Sequence, residues 1–276
     1  MEAARPFIYV GCMANTPSRT TPLSTVRDVI GSGFPALTQP DWVRAFPWVV
    51  QGTTMHDSGD EAPFDLGLFA AGSDPEAARR RWRILRERLG ADRVVHAQQV
   101  HGAHVRVHHS NRTAVEDPHL VDPCDGHATD MPGVILAVTI ADCVPVFIVD
   151  PERRAVAAVH AGWRGAACGV LERALHEMAS SFASRPEALH VHLGPAICGM
   201  CYEVGPEVFK ALGQPVPKRP TPIDLRNVLG QRAVGAGVPN DAVTVSAHCT
   251  VCTASGLFSH RSGHDERQVG FIGVRA

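Results

Sequence analysis

The sequence has no excess of either charge. Its 276 residues carry a formal net charge of −2, and 20% of them are charged. That balance offers no basic surface for a polyanion, so nucleic acid is set aside as a partner. Any apolar run long enough to span a membrane is also missing, so no membrane is expected. The first residues, MEAARPFIYVGCMANTPSRT, lack a basic segment followed by a sustained apolar core, and so do not read as a secretory signal. There is no internal repeat, and no shift in composition sharp enough to split the chain. These absences point to a cytoplasmic globular protein, with an ordinary hydrophobic content of 45%. The length suits one large domain.

Cysteine and histidine are plentiful, at eight and fifteen. Cytosolic cysteines are more often buried thiols, ligands or nucleophiles than disulfides. The chemistry concentrates in Thr139 to Gly165. Two apolar runs, Val144 to Val149 and Ala155 to Val159, flank the turn Asp150-Pro151-Glu152-Arg153-Arg154, which fits a hairpin. Folding that hairpin brings Cys143 and His160 to the same end. A third candidate, His101, falls in a β-like run from Val94 to Val107. One thiolate and two imidazoles at strand ends make a three-ligand metal site with an open position. His160 leads through Gly162 and Gly165 towards a helix start, where free backbone N–H groups and Arg164 suit an anion.

Residues 1–45 read as a loosely structured N-terminal extension, with a short helix over Thr25 to Ile30, and residues 46–276 as the catalytic domain. Strands are expected at Phe46 to Thr54, Val94 to His108, Val134 to Ile140, Ala188 to Leu193, Ala242 to His248 and Val269 to Val274. Helices are expected from Ser73 to Leu89, from Ala166 to Phe182, from Pro206 to Leu212 and from Asp224 to about Ala236. The stripe Ala78, Trp82, Leu85 and Leu89 marks a core face, and Arg79 to Arg83 a solvated one. Residues 109–131 read as a polar loop and 215–222 as a Pro-rich linker. Strands in groups separated by single helices imply an α+β layout of mixed sheets with helices outside.

Two further pairs, Cys198-Gly199-Met200-Cys201 and Cys249-Thr250-Val251-Cys252, suggest a second, structural metal, although their separation is much longer than usual. Cys168, near the start of the helix after Gly165, reads as partly buried.

Several motifs together resemble the laccase-domain family, long described as multicopper polyphenol oxidases and later as purine nucleoside phosphorylases with adenosine deaminase activity. They are Gln99-Val100-His101-Gly102, Ala141-Asp142-Cys143-Val144-Pro145-Val146, Val159-His160-Ala161-Gly162-Trp163-Arg164-Gly165, Gly194-Pro195-Ala196-Ile197, Cys201-Tyr202-Glu203-Val204-Gly205, Cys249-Thr250 and Phe258-Ser259-His260-Arg261. The match covers roughly residues 50–274. The resemblance implies an α/β/β/α single domain related to a cysteine-hydrolase fold. It also implies that His101, Cys143 and His160 bind one metal, usually zinc, and that Tyr202 and Glu203 help form the pocket. Cys201 and Cys249 fall in family motifs, whereas Cys198 and Cys252 are not generally expected there.

Two departures stand out. Thr53-Thr54 is followed by Met55 where the family has Arg, and Asp65-Leu66-Gly67 replaces Asn-Leu-Gly. If that Arg holds phosphate, phosphorolysis is weakened here and Met55→Arg restores it, unless His56 or Arg261 carries the role. A multicopper oxidase needs several coppers, and no His-X-His pair joins the His₂Cys set at the matching motifs. The expectation is a zinc enzyme acting on purine nucleosides with water or phosphate. A copper-dependent phenol oxidase, a cysteine hydrolase with Cys143 as nucleophile and His160 as base, and a catalytically silent metal-binding protein are the alternatives.

Overall fold

The computed structural model describes residues 21–31, 34–58, 63–69, 74–109, 116–254 and 256–276. The strands are β1 Ser24–Val26, β2 Val29–Ile30, β3 Ala36–Thr38, β4 Val49–Thr54, β5 Arg93–Ala97, β6 Val105–His108, β7 His119–Val121, β8 Gly126–Thr129, β9 Val134–Ile140, β10 Val144–Asp150, β11 Ala155–Ala161, β12 His190–Leu193, β13 Glu203–Val204, β14 Thr221–Pro222, β15 Val243–Ser246 and β16 Gln268–Val274. The helices are α1 Pro40–Ala45, α2 Pro75–Arg88, α3 Trp163–Ala167, α4 Val170–Phe182, α5 Pro206–Ala211 and α6 Leu225–Gly235.

Fourteen of these strands form two mixed seven-stranded sheets, in the orders β1-β15-β12-β10-β11-β8-β6 and β2-β3-β4-β16-β9-β5-β7. Period-two alternation explains the layering. On β10, Val144, Val146 and Ile148 pack towards α4 and α6, while Phe147 and Val149 point the other way. On β9 of the second sheet, Leu136, Val138 and Ile140 meet Phe147 and Val149, and Ile135 and Ala137 face Trp82 and Leu85 of α2. Two helices, two sheets and a helix therefore stack as α/β/β/α. The expected stripe on α2 holds: Ala78, Trp82 and Leu85 are buried, and Leu89 packs against them. Asp74 caps the helix, and Gly90 follows it with φ +63°.

The expected hairpin is present, with Val144 opposite Ala161 and Pro145 opposite His160. Other expectations need correction. The run from Val94 to His108 is two strands, one in each sheet, so the segment with His101 crosses between sheets rather than lying in a strand. The polar loop before Met131 contains β7 and β8. The helix after Gly165 is two helices, broken where Gly169 adopts φ +81°. The Pro-rich linker contributes β14, paired with β13. Of the proposed extension, residues 1–20 lie outside the described residues, as do Ser73 and Cys12. From Ser24 onward, strands replace the expected helix: β1 pairs with β15 in one sheet and β3 with β4 in the other.

At Gly273 the sheet admits no side chain. A Cβ there would lie 2.4 Å from the Val134 carbonyl oxygen and 2.5 Å from Ile135 Cδ1. Gly235, in the last turn of α6, has no atom within 4 Å of the same position. Gly273→Ala should therefore lose about 1–3 kcal/mol by overpacking, whereas Gly235→Ala should gain up to ~1 kcal/mol through the unfolded chain. Urea denaturation of the two variants checks the opposite signs.

Candidate functional site

The site lies where the first sheet's hairpin end meets the crossing from β5 to β6. Cys143 directly precedes β10. His160 lies near the end of β11, in the same alternating row as Val156 and Ala158. His101 sits in the crossing with φ 58°. That left-handed conformation is uncommon outside glycine and is held by the surroundings. The surroundings are the Asp125 carboxylate, which is fully buried. It accepts hydrogen bonds from the backbone N–H groups of Val100, His101 and Gly102, at 3.2, 2.9 and 2.8 Å. The same carboxylate lies 2.9 Å from His160 Nδ1. A carboxylate only accepts, so Nδ1 carries the proton and Nε2 is free to face Cys143. Gln99 secures the other side of the crossing: its amide donates to the Thr139 carbonyl at 2.8 Å and accepts from Thr139 N–H at 2.7 Å.

The ligand atoms of His101, Cys143 and His160 lie within 4.8 Å of one another. The two imidazoles meet edge to face, with centroids 4.8 Å apart. Burial alone would raise the Cys143 thiol, but the neighbouring His160 charge and hydrogen bonds from His101 and His160 overcome it, lowering its pKa to about 6. Burial opposes protonation of His160, yet the Cys143 charge and the Asp125 carboxylate raise its pKa to about 9. Without a metal, the pair is a thiolate and an imidazolium near neutral pH. Gly162 closes the floor: a Cβ there would lie 2.9 Å from Cys143 Sγ and 3.1 Å from His101 Cδ2. One thiolate and two imidazoles, one of them oriented by a buried carboxylate, are the donor set that fits a zinc ion.

A cleft of about 420 Å³ opens over the three residues, lined also by Phe69, Gln99, Thr139, Arg164, His260 and Arg267. Of the residues expected at the anion, Arg164 lines this cleft, with its guanidinium 4.4 Å above the Trp163 ring. The helix start is at Trp163, capped by Gly162, rather than after Gly165. Arg261, Tyr202 and Glu203 form a neighbouring group. Arg261 lies 5.6 Å over the Tyr202 ring and donates to the Glu203 carbonyl at 3.2 Å. Burial first, then the Cys143 charge, raise the Tyr202 pKa to about 12.

Two expectations fail here. Met55 does not face the cleft but is buried in an apolar cluster with Leu37 and Leu257. Its replacement of an Arg therefore leaves the cleft's own cations in place. Cys168 is exposed at the end of α3. Asp125, Phe69 and Arg267 escaped sequence reasoning, and Gly162 reads in the sequence as part of the helix junction rather than as the floor of the site. Nothing in the polar stretch around Asp125 marks it as the partner of two distant segments. The His190-X-His192 pair is no ligand set, because His192 is buried with Nδ1 on Thr244 and Nε2 on Asp28.

A family described as multi-copper polyphenol oxidoreductase laccase matches residues 53–275. The chain is 35% identical over 260 residues to purine nucleoside phosphorylase YlmD of Geobacillus stearothermophilus, covering 85% of this chain and 94% of that protein. It is 33% identical over 184 residues to adenosine deaminase RL5 of an unknown prokaryotic organism, covering 62% and 70%. The crystal structure of Geobacillus stearothermophilus YlmD superposes with a TM-score of 0.79 at 29% identity, over 91% of this chain and all of that one. Bacillus licheniformis YfiH gives a TM-score of 0.80 at 26% identity, over 90% and 99%.

Alkylation of the metal-stripped protein by iodoacetamide reads the Cys143 charge directly. The lowered pKa means that thiolate persists as pH falls, so half-maximal labelling of Cys143 should come near pH 6. Asp125→Asn removes a group that holds the proton on His160, so the midpoint should move upward; an unchanged midpoint would show that the carboxylate does not support the pair. At the apolar cluster, Met55→Arg buries a charge without a partner and should cost several kcal/mol. Met55→Leu should cost less than about 1.5 kcal/mol. Thermal unfolding of both variants decides between this packing role and a role in the cleft.

Proposed function

The chain belongs to the multi-copper polyphenol oxidoreductase laccase family, and from that premise we propose that it is a zinc-dependent enzyme of purine nucleosides. The reactions are hydrolytic deamination of adenosine, in which water replaces the amino group and ammonia leaves, and phosphorolysis of the N-glycosidic bond of adenosine, inosine or methylthioadenosine. The observation that carries this reading is the convergence of His101, Cys143 and His160 ligand atoms at the floor of a cleft that also presents cations and an exposed ring. Zinc held by those three residues supplies Lewis acidity to the reacting centre.

The remaining work falls to the chain. Asp125 fixes the His160 tautomer and the His101 backbone, so the donor set needs little reorganisation on loading. Phe69, 49% exposed, offers a face on which a purine stacks. Arg164 and Arg267 supply positive charge for phosphate, in the role expected of an Arg at position 55. The names of the relatives support both activities, and the cleft volume suits a nucleoside-sized ligand.

The ionised Cys143–His160 pair with Asp125 behind it favours one second reading, a cysteine hydrolase in the metal-free state. Copper in place of zinc would favour the phenol oxidase. However, among the described residues only one group of ligating side chains contains histidine.

Chromatography of adenosine incubations separates these readings. Inosine should form without phosphate, and adenine should be released only with it. Arg164→Gln should reduce the phosphate-dependent reaction about ten- to a hundredfold, as expected for loss of one charge-assisted contact of ~1.5–3 kcal/mol, while sparing deamination. Turnover that survives chelation and disappears in Cys143→Ala would transfer the assignment to the cysteine hydrolase. Oxygen consumption with a phenol, without any nucleoside turnover, would transfer it to the oxidase.

A further inference from the structure

Four of the cysteines outside the cleft, Cys198, Cys201, Cys249 and Cys252, come together although 47 residues separate the two Cys-X-X-Cys pairs. The reason lies in the parallel pairing of β12 with β15. A bridge between Ala196 and Cys249 continues that pairing beyond the strand ends, and Thr250 N–H donates to the Ala196 carbonyl at 3.3 Å. Each strand then turns through its own Cys-X-X-Cys segment. In the first, Cys201 and Tyr202 N–H groups both donate to the Cys198 carbonyl at 3.0 Å. In the second, Thr253 Oγ1 accepts from Cys249 N–H at 2.9 Å.

As a result, one sulfur from each of Cys198, Cys201, Cys249 and Cys252 lies within 4.8 Å of every other. None of the four is in a disulfide. The Cys198 and Cys252 sulfurs are 3.7 Å apart. A disulfide needs ~2.05 Å, whereas a tetrahedral ion with Zn–S bonds of ~2.3 Å spaces its sulfurs by ~3.8 Å. Cys249 Sγ also accepts N–H bonds from Cys198 and Val251, at 3.3 and 3.4 Å. Backbone donors aimed at sulfur stabilise a thiolate and thus suit a cation-bound state.

We propose that Cys198, Cys201, Cys249 and Cys252 hold a structural zinc ion in a closed four-thiolate site, distinct from the His₂Cys site, that clamps the loop after β12 to the loop after β15. Four sulfurs in tetrahedral reach leave no position for substrate, which separates this site from the cleft. Its effect reaches the cleft through one residue. Asp142, with φ 89°, accepts from Thr250 Oγ1 at 2.5 Å and from Arg261 N–H at 2.7 Å, and its carbonyl accepts from Ile197 N–H at 3.1 Å. Thr250 lies inside one clamped segment and Ile197 beside the other, and Asp142 is bonded to Cys143. The clamp therefore holds the loop that presents the Cys143 thiolate.

The test is zinc stoichiometry by mass spectrometry of the full chain purified without added metal, with thiol titration of the same sample. About two zinc ions per chain are expected. Cys252→Ser, at an exposed position that costs no packing, should bind about one, and so should Cys143→Ala; the double variant should bind none. Cys252→His, which keeps four donors, should restore the second ion. The two sites fail separately: a Cys143→Ala protein that keeps all its zinc sinks the cleft assignment and leaves this one standing. In the unaltered protein, Cys252 should resist a thiol reagent until a chelator is added, although it is exposed. Immediate labelling of Cys252 with no zinc released would overturn the proposal, as would iron in the site or a disulfide among the four cysteines.

Discussion

The site depends on one buried carboxylate. Asp125 has no water to solvate its charge, so every lone pair must find a protein donor. Three donors are successive backbone N–H groups of the crossing, and the fourth is His160. Burial alone would raise its pKa; these bonds win and lower it, keeping it ionised. The arrangement performs two tasks at once. Gathering three consecutive N–H groups forces the backbone into the turn that puts His101 in the left-handed region. Holding Nδ1–H of His160 leaves Nε2 as the only ring nitrogen that can face Cys143. Two of the three proposed ligands are therefore set by the same anion, although 58 residues lie between His101 and His160. Removing that anion strands the donors rather than merely weakening a contact, which is why its influence extends beyond any single bond.

The sheets explain why the site lies where it does. A crossing from β5 in one sheet to β6 in the other must leave regular structure, and its backbone groups then need partners outside the ladders. Gln99 meets β9 of the second sheet, and the N–H groups of Val100, His101 and Gly102 meet Asp125, which leads into β8 of the first, so the irregular stretch is pinned to both. The hairpin of β10 and β11 is buried on both faces, which fixes its register tightly. Slipping it by one residue would exchange Val146 and Phe147 between two different cores. Consequently Cys143 and His160 cannot drift relative to one another. Gly162 completes the constraint, because any larger residue would occupy the space between Cys143 and His101.

Much of this is legible in the sequence, and the failures have physical causes. The hairpin follows from two apolar runs around a Pro-containing turn, because both are local features. The α2 stripe and the capping of α2 and α6 by Asp74 and Asp224 are local as well. The His₂Cys set is found because each ligand sits beside a strong apolar run. Asp125 is missed because its partners lie more than twenty residues away on each side, and a buried acidic residue reads as a solvated one. The crossing at His101 is missed because valines and histidines on both sides imitate one continuous strand. Met55 misleads for the opposite reason. Its motif position implies an anion-binding Arg, whereas the side chain packs in a pocket made by Leu37 and Leu257. The extra strands β7 and β8 are short, and their pairing with distant β5 and β11 supplies what their own composition does not.

The electrostatics of the Cys143–His160 pair set how the three-ligand site competes with protons. A ligating cysteine must be thiolate and a ligating histidine neutral. The pair's pKa values of about 6 and about 9 are properties of a coupled unit, in which one proton is held on the imidazole between those limits. A metal entering near neutral pH therefore finds the sulfur already ionised and displaces one proton, from His160. Above about pH 9 it displaces none from the pair, and below about pH 6 it displaces two. The pair's contribution to affinity should therefore weaken as pH falls, and more steeply once both of its members hold a proton. Asp125 acts on the same balance from the other side. It stabilises the imidazolium that the metal must replace, yet it also fixes the neutral tautomer that the metal then uses. The carboxylate thus promotes proton release at the thiol while orienting the nitrogen, and the two effects meet in the single hydrogen bond at His160 Nδ1.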